Sequence, residues 1–200
     1  MANCGFSEEK AKTVERMYHE LYSVSDKWIA DKLERASIDG YITTAFGLRV
    51  RTPMLSKVIW NTSKTPNEAK AEGRTAGNAL GQGWGLLNNR AANEFMERVW
   101  NSPYAEFIRP CAQIHDAQYY LIPDNYEIVH WVNQNLVECI KWQDHPDIWH
   151  EEVKLGGDFG IFYPSWANEI SLKNGASIEE IRSTCIEGYD KYLHPEKYNK

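Results

Sequence analysis

The sequence lacks the features that mark membrane proteins and disulfide-stabilised secreted proteins. No apolar run approaches the roughly 18 residues that a membrane span requires, and the N-terminus carries no signal-peptide pattern. Only four cysteines occur, widely scattered and without a CxxC pair, which argues against a disulfide framework or a zinc site. We therefore expect reduced thiols, a cytoplasmic location and no membrane partner.

Excess positive charge is also absent. Lysine and arginine total 22 against 28 acidic residues, so the net charge of -6 gives no global electrostatic reason to bind nucleic acid. The 200 residues contain no internal repeat, low-complexity segment or clear linker, which indicates one ordinary domain or a piece of a larger one. Aromatic residues reach 12%. That share indicates either an aromatic core or a surface that another molecule covers.

The predicted elements follow the order helix, strand, long helix, strand, helix, strand, helix, which indicates a helix-rich α+β fold. Ser7, followed by acidic residues, predicts the cap of a first helix that breaks near Ser23–Ser25 and stops at Gly40. The segment YITTAFGLRV predicts a short strand or hairpin arm, and residues 53–65 predict a loop.

A long second helix is predicted from a capping box of Thr65 and Glu68, with Pro66 at the first helical position, to about Trp100. Its glycine-rich middle is expected to allow a bend. The rest of the chain predicts, in order, a strand over 110–121, an amphipathic helix in YEIVHWVNQNLVECIKW, a strand in EVKLGGDFGIFYPSW, a helix from Ile178 to Tyr192 capped by Ser177, and a polar tail.

The segment EGRTAGNALGQGWG carries glycines every four residues, at Gly73, Gly77, Gly81 and Gly85. In a helix they form one face almost without side chains. Tight packing against another helix is the more common reason for such a row, and close approach of a ligand or nucleic-acid backbone is the other. Arg74, Asn78 and Gln82 repeat the spacing one position on, and their guanidinium and amide groups suit phosphates and base edges, which favours nucleic acid.

A local basic patch precedes and enters this helix, and no acid occurs between Arg49 and Glu68. Such a run is usually a solvated face. Beside the polar row it becomes a candidate phosphate-contacting strip. Its members are Arg49, Arg51, Lys57, Lys64, Lys70 and Arg74.

Two further groups contain residues that bind metals. His115 and Asp116 stand side by side in CAQIHDAQYYLIPD, where the aspartate is a candidate ligand for a divalent cation, although one carboxylate alone does not make a site. A strand-edge hydrogen bond or salt bridge is the simpler reading. In QDHPDIWHEE the histidine spacing fits no common zinc pattern, so we expect a solvated, turn-rich connection there.

Taken in order, the motifs resemble the C-terminal part, palm and adjoining fingers helices, of family A DNA polymerases, the family of bacterial DNA polymerase I and several phage enzymes. GYITTAFGLRVRTP resembles GY-x-x-T-x-FG-R-R-R-x-x-P, and RTAGNALGQGWGLL resembles the R-x-x-x-N-x-x-x-QG primer–template helix. QIHDA resembles motif C, Q-V-H-D-E, and GGDFGIFYPSW resembles the closing strand with its G-x-x-W. FSEEKAKTVERMYHELYSVSDKWI resembles the helices that follow the fingers helix.

The resemblance implies a role for each matching residue. Asp116 corresponds to a metal-binding aspartate and His115 to a histidine near the primer terminus, in two-metal nucleotidyl transfer with Mg²⁺ and dNTP. The implied regions are fingers-proximal helices over 1–40, the C-terminal part of the palm with an antiparallel motif C hairpin over 41–168, and a terminal helix and tail over 169–200. The implied DNA contacts are Arg49, Arg51, Arg74, Asn78, Gln82 and Gln113.

Three departures from the family pattern affect function. Ala117 replaces the usual glutamate of motif C, and Leu48 and Val50 replace two arginines. Motif A, with its aspartate, and the fingers helix that grips the nucleotide would lie upstream of this sequence. One aspartate cannot hold two magnesium ions, so we expect a partner chain to supply the remainder.

Three hypotheses follow. The first is the C-terminal subunit of a split, phage-type DNA polymerase, located in the host cytoplasm if phage-encoded, with an N-terminal subunit, primer–template DNA and dNTP as partners. The second is a non-catalytic DNA-binding or interaction protein with a degenerate polymerase fold. The third is a fragment of a longer enzyme.

Overall fold

The computed structural model describes residues 5–83, 85–141, 145–146 and 148–198. The chain is a helix-rich α+β protein whose strands form antiparallel pairs, which confirms the predicted class. It divides into two compact units, Met1–Gly83 and Trp84–Lys200, called the N-terminal and C-terminal units below. No helix in the described ranges is long and apolar enough to cross a membrane. Cys4, Asp144 and Asp147, considered above as thiol or candidate ligands, lie outside the described residues.

The N-terminal unit begins with two helices joined at Tyr22. The hydroxyl of Ser7 accepts a hydrogen bond from the Lys10 amide at 3.3 Å, which confirms the predicted cap. The helices separate one residue before the predicted break, and Gly40, with φ of +76°, ends the second in the left-handed conformation. The elements of this unit are α1 (Glu8–Leu21), α2 (Ser23–Asp39), β1 (Tyr41–Thr43), β2 (Arg49–Arg51) and α3 (Asn67–Gly81).

A hairpin and two helices enclose the core of this unit. β1 and β2 pair antiparallel, with Ile42 opposite Val50. Thr52 follows the hairpin and is fully buried, and its hydroxyl donates to the carbonyl oxygen of Ala36 at 3.1 Å, which ties the hairpin to α2. The buried apolar residues are Leu33, Ala36, Ile42, Leu55, Ala76 and Leu80.

The predicted start of α3 is wrong in detail. Pro66 is the N-cap residue, and no side chain caps the helix. The hydroxyl of Thr65 instead accepts from the Thr62 amide at 3.0 Å and donates to the Ile59 carbonyl at 3.1 Å. The preceding loop therefore uses the hydroxyl that the capping box required.

The predicted long helix to Trp100 is also wrong, because α3 ends at Gly81 and a separate helix begins at Gly85. The amide of Gln82 donates to the carbonyl of Asn78 at 2.9 Å, and the amide of Gly83 donates to the carbonyl of Leu80 at 3.2 Å, which closes the last turn. Glycines on both sides of this junction lower the cost of leaving the helix, since glycine stabilises helix least among residues other than proline.

Gly73 and Gly81 in α3 have different surroundings, so we expect alanine substitutions at the two positions to have different effects on stability. A Cβ atom at Gly73 would lie 2.5 Å from the Trp60 ring, whereas one at Gly81 would meet nothing within 4 Å. We expect Gly73→Ala to lower the free energy of unfolding by about 1 kcal/mol, because overpacking outweighs the gain in helix propensity. Gly81→Ala should be neutral or stabilising by up to about 1 kcal/mol. Urea denaturation checks both, and equal effects would contradict the packing explanation.

The C-terminal unit contains a helical layer and two separate hairpins. Asn125 caps α5, and Ser177 and Glu180 form the predicted cap of α6 as a complete capping box. The strand Glu169–Leu172 was not predicted. The elements are α4 (Gly85–Trp100), β3 (Arg109–Ile114), β4 (Ala117–Leu121), α5 (Tyr126–Ile140), β5 (Phe159–Phe162), β6 (Glu169–Leu172) and α6 (Ile178–Leu193).

The core of this unit lies between α4, α5, α6 and the β5–β6 hairpin. Phe95 is fully buried, and its ring contacts those of Tyr120 at 5.0 Å and Trp131 at 5.9 Å between centroids. These contacts join α4 to β4 and α5. The other buried core residues are Ala91, Val99, Ile108, Ile128, Val129, Val132, Leu136, Val137, Cys139, Phe159, Leu172, Ala176 and Ile181.

A network of charged residues also joins α4 to α5. Glu94 pairs with Arg90 and, at 2.8 Å, with Arg98, while Arg98 reaches Glu138 at 2.7 Å. Arg90 also donates to the Cys139 carbonyl at 2.8 Å. Burial opposes ionisation of Glu94, but the hydrogen bonds from both arginines outweigh it and lower the pKa of Glu94 below its ordinary value.

This lowered pKa predicts an acid-sensitive contribution to stability. Ionised Glu94 stabilises the fold above the unfolded-state pKa of about 4.5, and that contribution is lost as the pH falls through the lower folded pKa. We expect Glu94→Gln to lower the free energy of unfolding by about 1 kcal/mol at pH 7. The difference should shrink toward pH 3. Denaturation at both pH values checks this, with the exposed Glu97→Gln as control; a difference independent of pH would contradict it.

Candidate active site

His115 and Asp116 form the tip of a tight hairpin. The expected strand over 110–121 is two strands, β3 and β4, in which Ile114 pairs with Ala117 and leaves only the His-Asp pair in the turn. His115 has φ of +53°, a left-handed conformation that histidine adopts more readily than most residues. Both side chains are exposed. The hairpin therefore presents an imidazole and a carboxylate together at its tip.

The described residues of this chain do not form a cation site by themselves. They contain no group of three or more histidine, cysteine, aspartate or glutamate side chains arranged to hold a metal ion. Ala117, the residue after Asp116, is half-buried at the start of β4 and supplies no ligand. A divalent ion bound at Asp116 would therefore need oxygen ligands beyond those that the described residues bring together.

Hydrogen bonds hold the hairpin against α4. The amide nitrogen of Gln118 donates to the Asn88 side-chain oxygen at 2.6 Å and to the Asn88 carbonyl at 2.9 Å. The Tyr120 hydroxyl donates to the Gln118 side-chain oxygen at 2.7 Å. Burial, and secondarily the Cys139 thiol, raises the pKa of Tyr120 to about 12, so the hydroxyl remains a donor at neutral pH. On β3, the Gln113 amide donates to the Asn89 side chain.

Sequence reasoning missed Gln118, Asn88 and Tyr120. The Gln118–Asn88 pair is separated by 30 positions, so no local spacing relates the two residues. The only signal available was the second glutamine of QIHDAQ, which lies on the returning strand.

A cleft opens beside Asp116 within the C-terminal unit and is called the slot below. It has a volume of about 780 Å³ and runs between β4 and β5 over α4 and α5. Three aromatic rings stand together in it: Trp166 is stacked 4.6 Å from Phe162 and lies 4.7 Å from Tyr119. Trp166 is 61% exposed. The slot combines an apolar floor with three carboxylates, those of Asp116, Asp158 and Glu169, among its lining residues.

The row of polar residues predicted to contact DNA lies in the N-terminal unit. Arg74 and Asn78 are exposed on α3, and Gln82 is exposed as its C-terminal cap. The neighbouring glycines on α3 differ in their surroundings. A Cβ atom at Gly73 would lie 2.5 Å from the Trp60 ring, whereas one at Gly77 would lie 3.4 Å from Ile29, an ordinary contact distance. Close packing thus accounts for Gly73.

The basic patch forms a set of exposed cations in the same unit. Arg49 and Arg51 are exposed on β2, and the Arg49 guanidinium lies 4.5 Å from the centre of the Tyr41 ring. Within the described ranges none of the patch has a carboxylate partner in an ion pair, and its other exposed members are Lys57, Lys64, Lys70 and Arg74.

The described residues of QDHPDIWHEE, 145–146 and 148–152, form turns and bends without helix or strand. The ring nitrogen Nδ1 of His150 accepts from the amides of Glu152 at 3.1 Å and Val153 at 2.9 Å. Because this nitrogen is occupied by backbone donors, His150 serves the local turn.

Comparison with known proteins gives a structural similarity. No family model matches the sequence, and no curated protein sequence is similar to it. A solved structure of the POL domain of Pol1 from M. smegmatis, in complex with DNA primer-template and dNTP, is similar with a TM-score of 0.57 and 22% sequence identity. The similarity covers 75% of this chain and 24% of that chain.

At this identity the similarity shows the fold. The chain has a polymerase-like fold and spans 24% of the length of the chain it matches. The structure thus supports the polymerase-like part of the resemblance, whereas the assignment to family A and to a phage type stays a prediction.

Proposed function

We propose that the chain is the C-terminal subunit of a split DNA-directed DNA polymerase, a nucleotidyltransferase active only with a partner chain. The observation that carries this proposal is the exposed His115-Asp116 tip on a polymerase-like fold, which places the Asp116 carboxylate beside an open slot. A two-metal site needs several acidic ligands. Because the hairpin tip supplies only Asp116, a second chain would have to supply the others.

Asp116 is the proposed metal ligand of this subunit. Together with a carboxylate of the partner it would hold two Mg²⁺ ions, which would supply charge neutralisation and Lewis acidity for nucleotidyl transfer. His115, adjacent on the exposed turn, is positioned to contact the primer terminus, and Gln113 lies two residues earlier on β3 for a contact with DNA. The hydrogen bonds from Gln118 to Asn88 keep this tip in place.

The partner is proposed to be an N-terminal polymerase subunit with motif A and the nucleotide-binding fingers helix, which would bind dNTP. Helix α1 supports a partner, since it has no buried residue among those described. Its apolar side chains are exposed, with Val14 at 48%, Met17 at 58% and Leu21 at 75%. Apolar stripes of this kind mark surfaces that another protein covers. We retain the assignment of 1–40, 41–168 and 169–200 to fingers-proximal helices, palm and terminal helix as part of this proposal.

Primer–template DNA is the proposed nucleic-acid partner, contacted by Arg74, Asn78, Gln82, Arg49 and Arg51. Their exposed cations and amides match the groups that bind phosphates and base edges. The overall charge of -6 means that this contact must be local.

Arg74→Ala tests the DNA surface directly. We expect it to weaken primer–template binding by the full chain about fivefold and to reduce the slope of log affinity against log salt by about 1, because one phosphate contact is lost. Fluorescence anisotropy over a salt series measures both quantities. Arg35→Ala, which removes another exposed arginine, is the control; equal losses in the two variants would argue against a specific role for Arg74.

Primer extension tests the proposed function. The full chain is mixed with a separately purified candidate partner, a polymerase chain that carries motif A and ends after its fingers helix, and extension of a labelled primer is followed with Mg²⁺ and dNTP. We expect extension from the mixture only, and none after addition of EDTA. Extension by the 200-residue chain alone would exclude the split arrangement.

A non-catalytic DNA-binding protein is the second candidate. Ala117 favours it, because a half-buried methyl group occupies the position that follows the lone aspartate. In that case the assembly binds primer–template DNA with unchanged affinity after Asp116 is replaced, and no extension is detected with either form.

A further inference from the structure

The two hairpins of the C-terminal unit have free edges that line one cleft. β4 pairs only with β3, and β5 only with β6, among the described strands. No backbone hydrogen bond to residues outside their own hairpins is formed by 117–121 or 159–162 within the described part of the chain. Each strand therefore has a row of backbone donors and acceptors without a strand partner on its second side.

The slot faces these edges rather than the faces of the hairpins. Every residue of β4 and every residue of β5 lines it, whereas β3 contributes only Cys111 and β6 only Glu169. A cleft over the face of a strand touches alternate residues, because side chains alternate with a period of two. Lining by consecutive residues on both walls is the pattern expected when two strand edges border the same gap.

The bottom of the slot is apolar and belongs to the helical layer. Leu87 and Ala91 from α4 and Val132, Leu136 and Ile140 from α5 line it, and the first four of these are buried. An extended segment in the gap would thus place one set of alternate side chains on an apolar helical surface, as the strands of a sheet packed on helices do.

A buried polar group in the slot has no partner in the described part of the chain. Asn88 lines the slot with 9% of its surface exposed, and its side-chain nitrogen is buried without a hydrogen bond to any described residue. The side-chain oxygen is occupied by Gln118. A buried amide donor of this kind is normally satisfied, so it indicates a missing acceptor such as a backbone carbonyl.

We propose that an extended strand of a partner chain inserts between β4 and β5 and joins the two hairpins into one five-stranded sheet. The occupant is a segment of five to six residues, by the length of β4, with alternate apolar side chains toward α4 and α5. That the segment comes from the N-terminal polymerase subunit rests on the function proposed above. Because Asp116 lines the slot, a carboxylate at the adjoining end of the inserted strand would lie beside it.

Strand insertion is tested on the full chain without DNA, nucleotide or metal. The probe is an acetylated, amidated peptide of alternating valine and threonine with one terminal aspartate, added to millimolar concentration to ¹⁵N-labelled protein. We expect amide exchange in 117–121 and 159–162 to slow by about tenfold or more, as strand pairing protects backbone amides. The matched control peptide has the same side chains with alternate backbone nitrogens methylated, and we expect no protection with it.

The outcomes separate strand addition from other occupants. Equal binding of both peptides would overturn the proposal in favour of an apolar side-chain pocket, and no protection with either peptide at millimolar concentration would overturn it outright. Asn88→Ala should weaken the first peptide about fivefold, since one neutral hydrogen bond contributes about 1 kcal/mol. Asn93→Ala, at an exposed asparagine of the same helix, should leave binding unchanged. No step of this experiment depends on primer extension. A negative primer-extension assay therefore does not affect the interpretation of the peptide experiment, and a negative peptide experiment does not affect the interpretation of the primer-extension assay.

Discussion

Asp116→Asn is expected to reduce primer extension by the assembled polymerase by about a thousandfold or more, while DNA binding is retained. The substitution keeps the size of the side chain and removes its charge. If Asp116 is the only carboxylate that this chain gives to the metal ions, its loss removes several kcal/mol of electrostatic stabilisation, and 4 kcal/mol corresponds to about a thousandfold in rate. Single-turnover extension measures the rate, and anisotropy measures binding of the primer–template.

A matched control for this prediction lies in the N-terminal unit. Asp39→Asn makes the same chemical change at an exposed residue that ends α2, and it should leave extension unchanged. Loss of extension in Asp116→Asn together with lost DNA binding would indicate a general defect in the hairpin. Unchanged extension would remove Asp116 from the chemistry, and DNA binding without extension by either form would favour the DNA-binding alternative.

Phe95→Ala is expected to produce the largest loss of stability, about 3–5 kcal/mol. The side chain is fully buried and contacts Tyr120 of the hairpin and Trp131 of α5 through its ring. Truncation removes the buried apolar area and leaves a cavity where three elements meet. Urea denaturation followed by circular dichroism measures the change in the free energy of unfolding.

The control for Phe95 is a phenylalanine of the same unit that is not buried. Phe107 is 53% exposed, so Phe107→Ala should change the free energy of unfolding by less than about 1 kcal/mol. A similar loss in both variants would mean that the Phe95 contacts do not hold the hairpin on the helices.

The sequence predicted the local starts and stops of the elements best. Ser7, Gly40 and Ser177 act through atoms of their own or adjacent turns, so their caps follow from a few neighbouring residues. The predicted cap at Thr65 was wrong because its hydroxyl forms hydrogen bonds with Ile59 and Thr62 in the preceding loop. Capping rules do not take such loop contacts into account. The helical periodicity through residues 67–100 also concealed the interruption after Gly81.

The hairpin tip shows why some features of the candidate site could be predicted from the sequence and others could not. Glycine or asparagine usually occupies the left-handed position of a tight turn, and here a histidine occupies it. Because the sequence therefore shows no turn signal at 115–116, the apolar run predicts one continuous strand. The motif still identified His115 and Asp116 as residues of interest. The slot could not be predicted from the sequence, because its walls, 117–121 and 159–162, are far apart in the chain and are brought together only by the fold.

The exposed edges of β4 and β5 have a consequence for expression of the chain in cells. Unpaired strand edges recruit strands from any neighbouring molecule, so this chain by itself is expected to be prone to self-association and aggregation. If the proposed partner strand covers these edges, co-expression of the two chains should raise the soluble yield of this one.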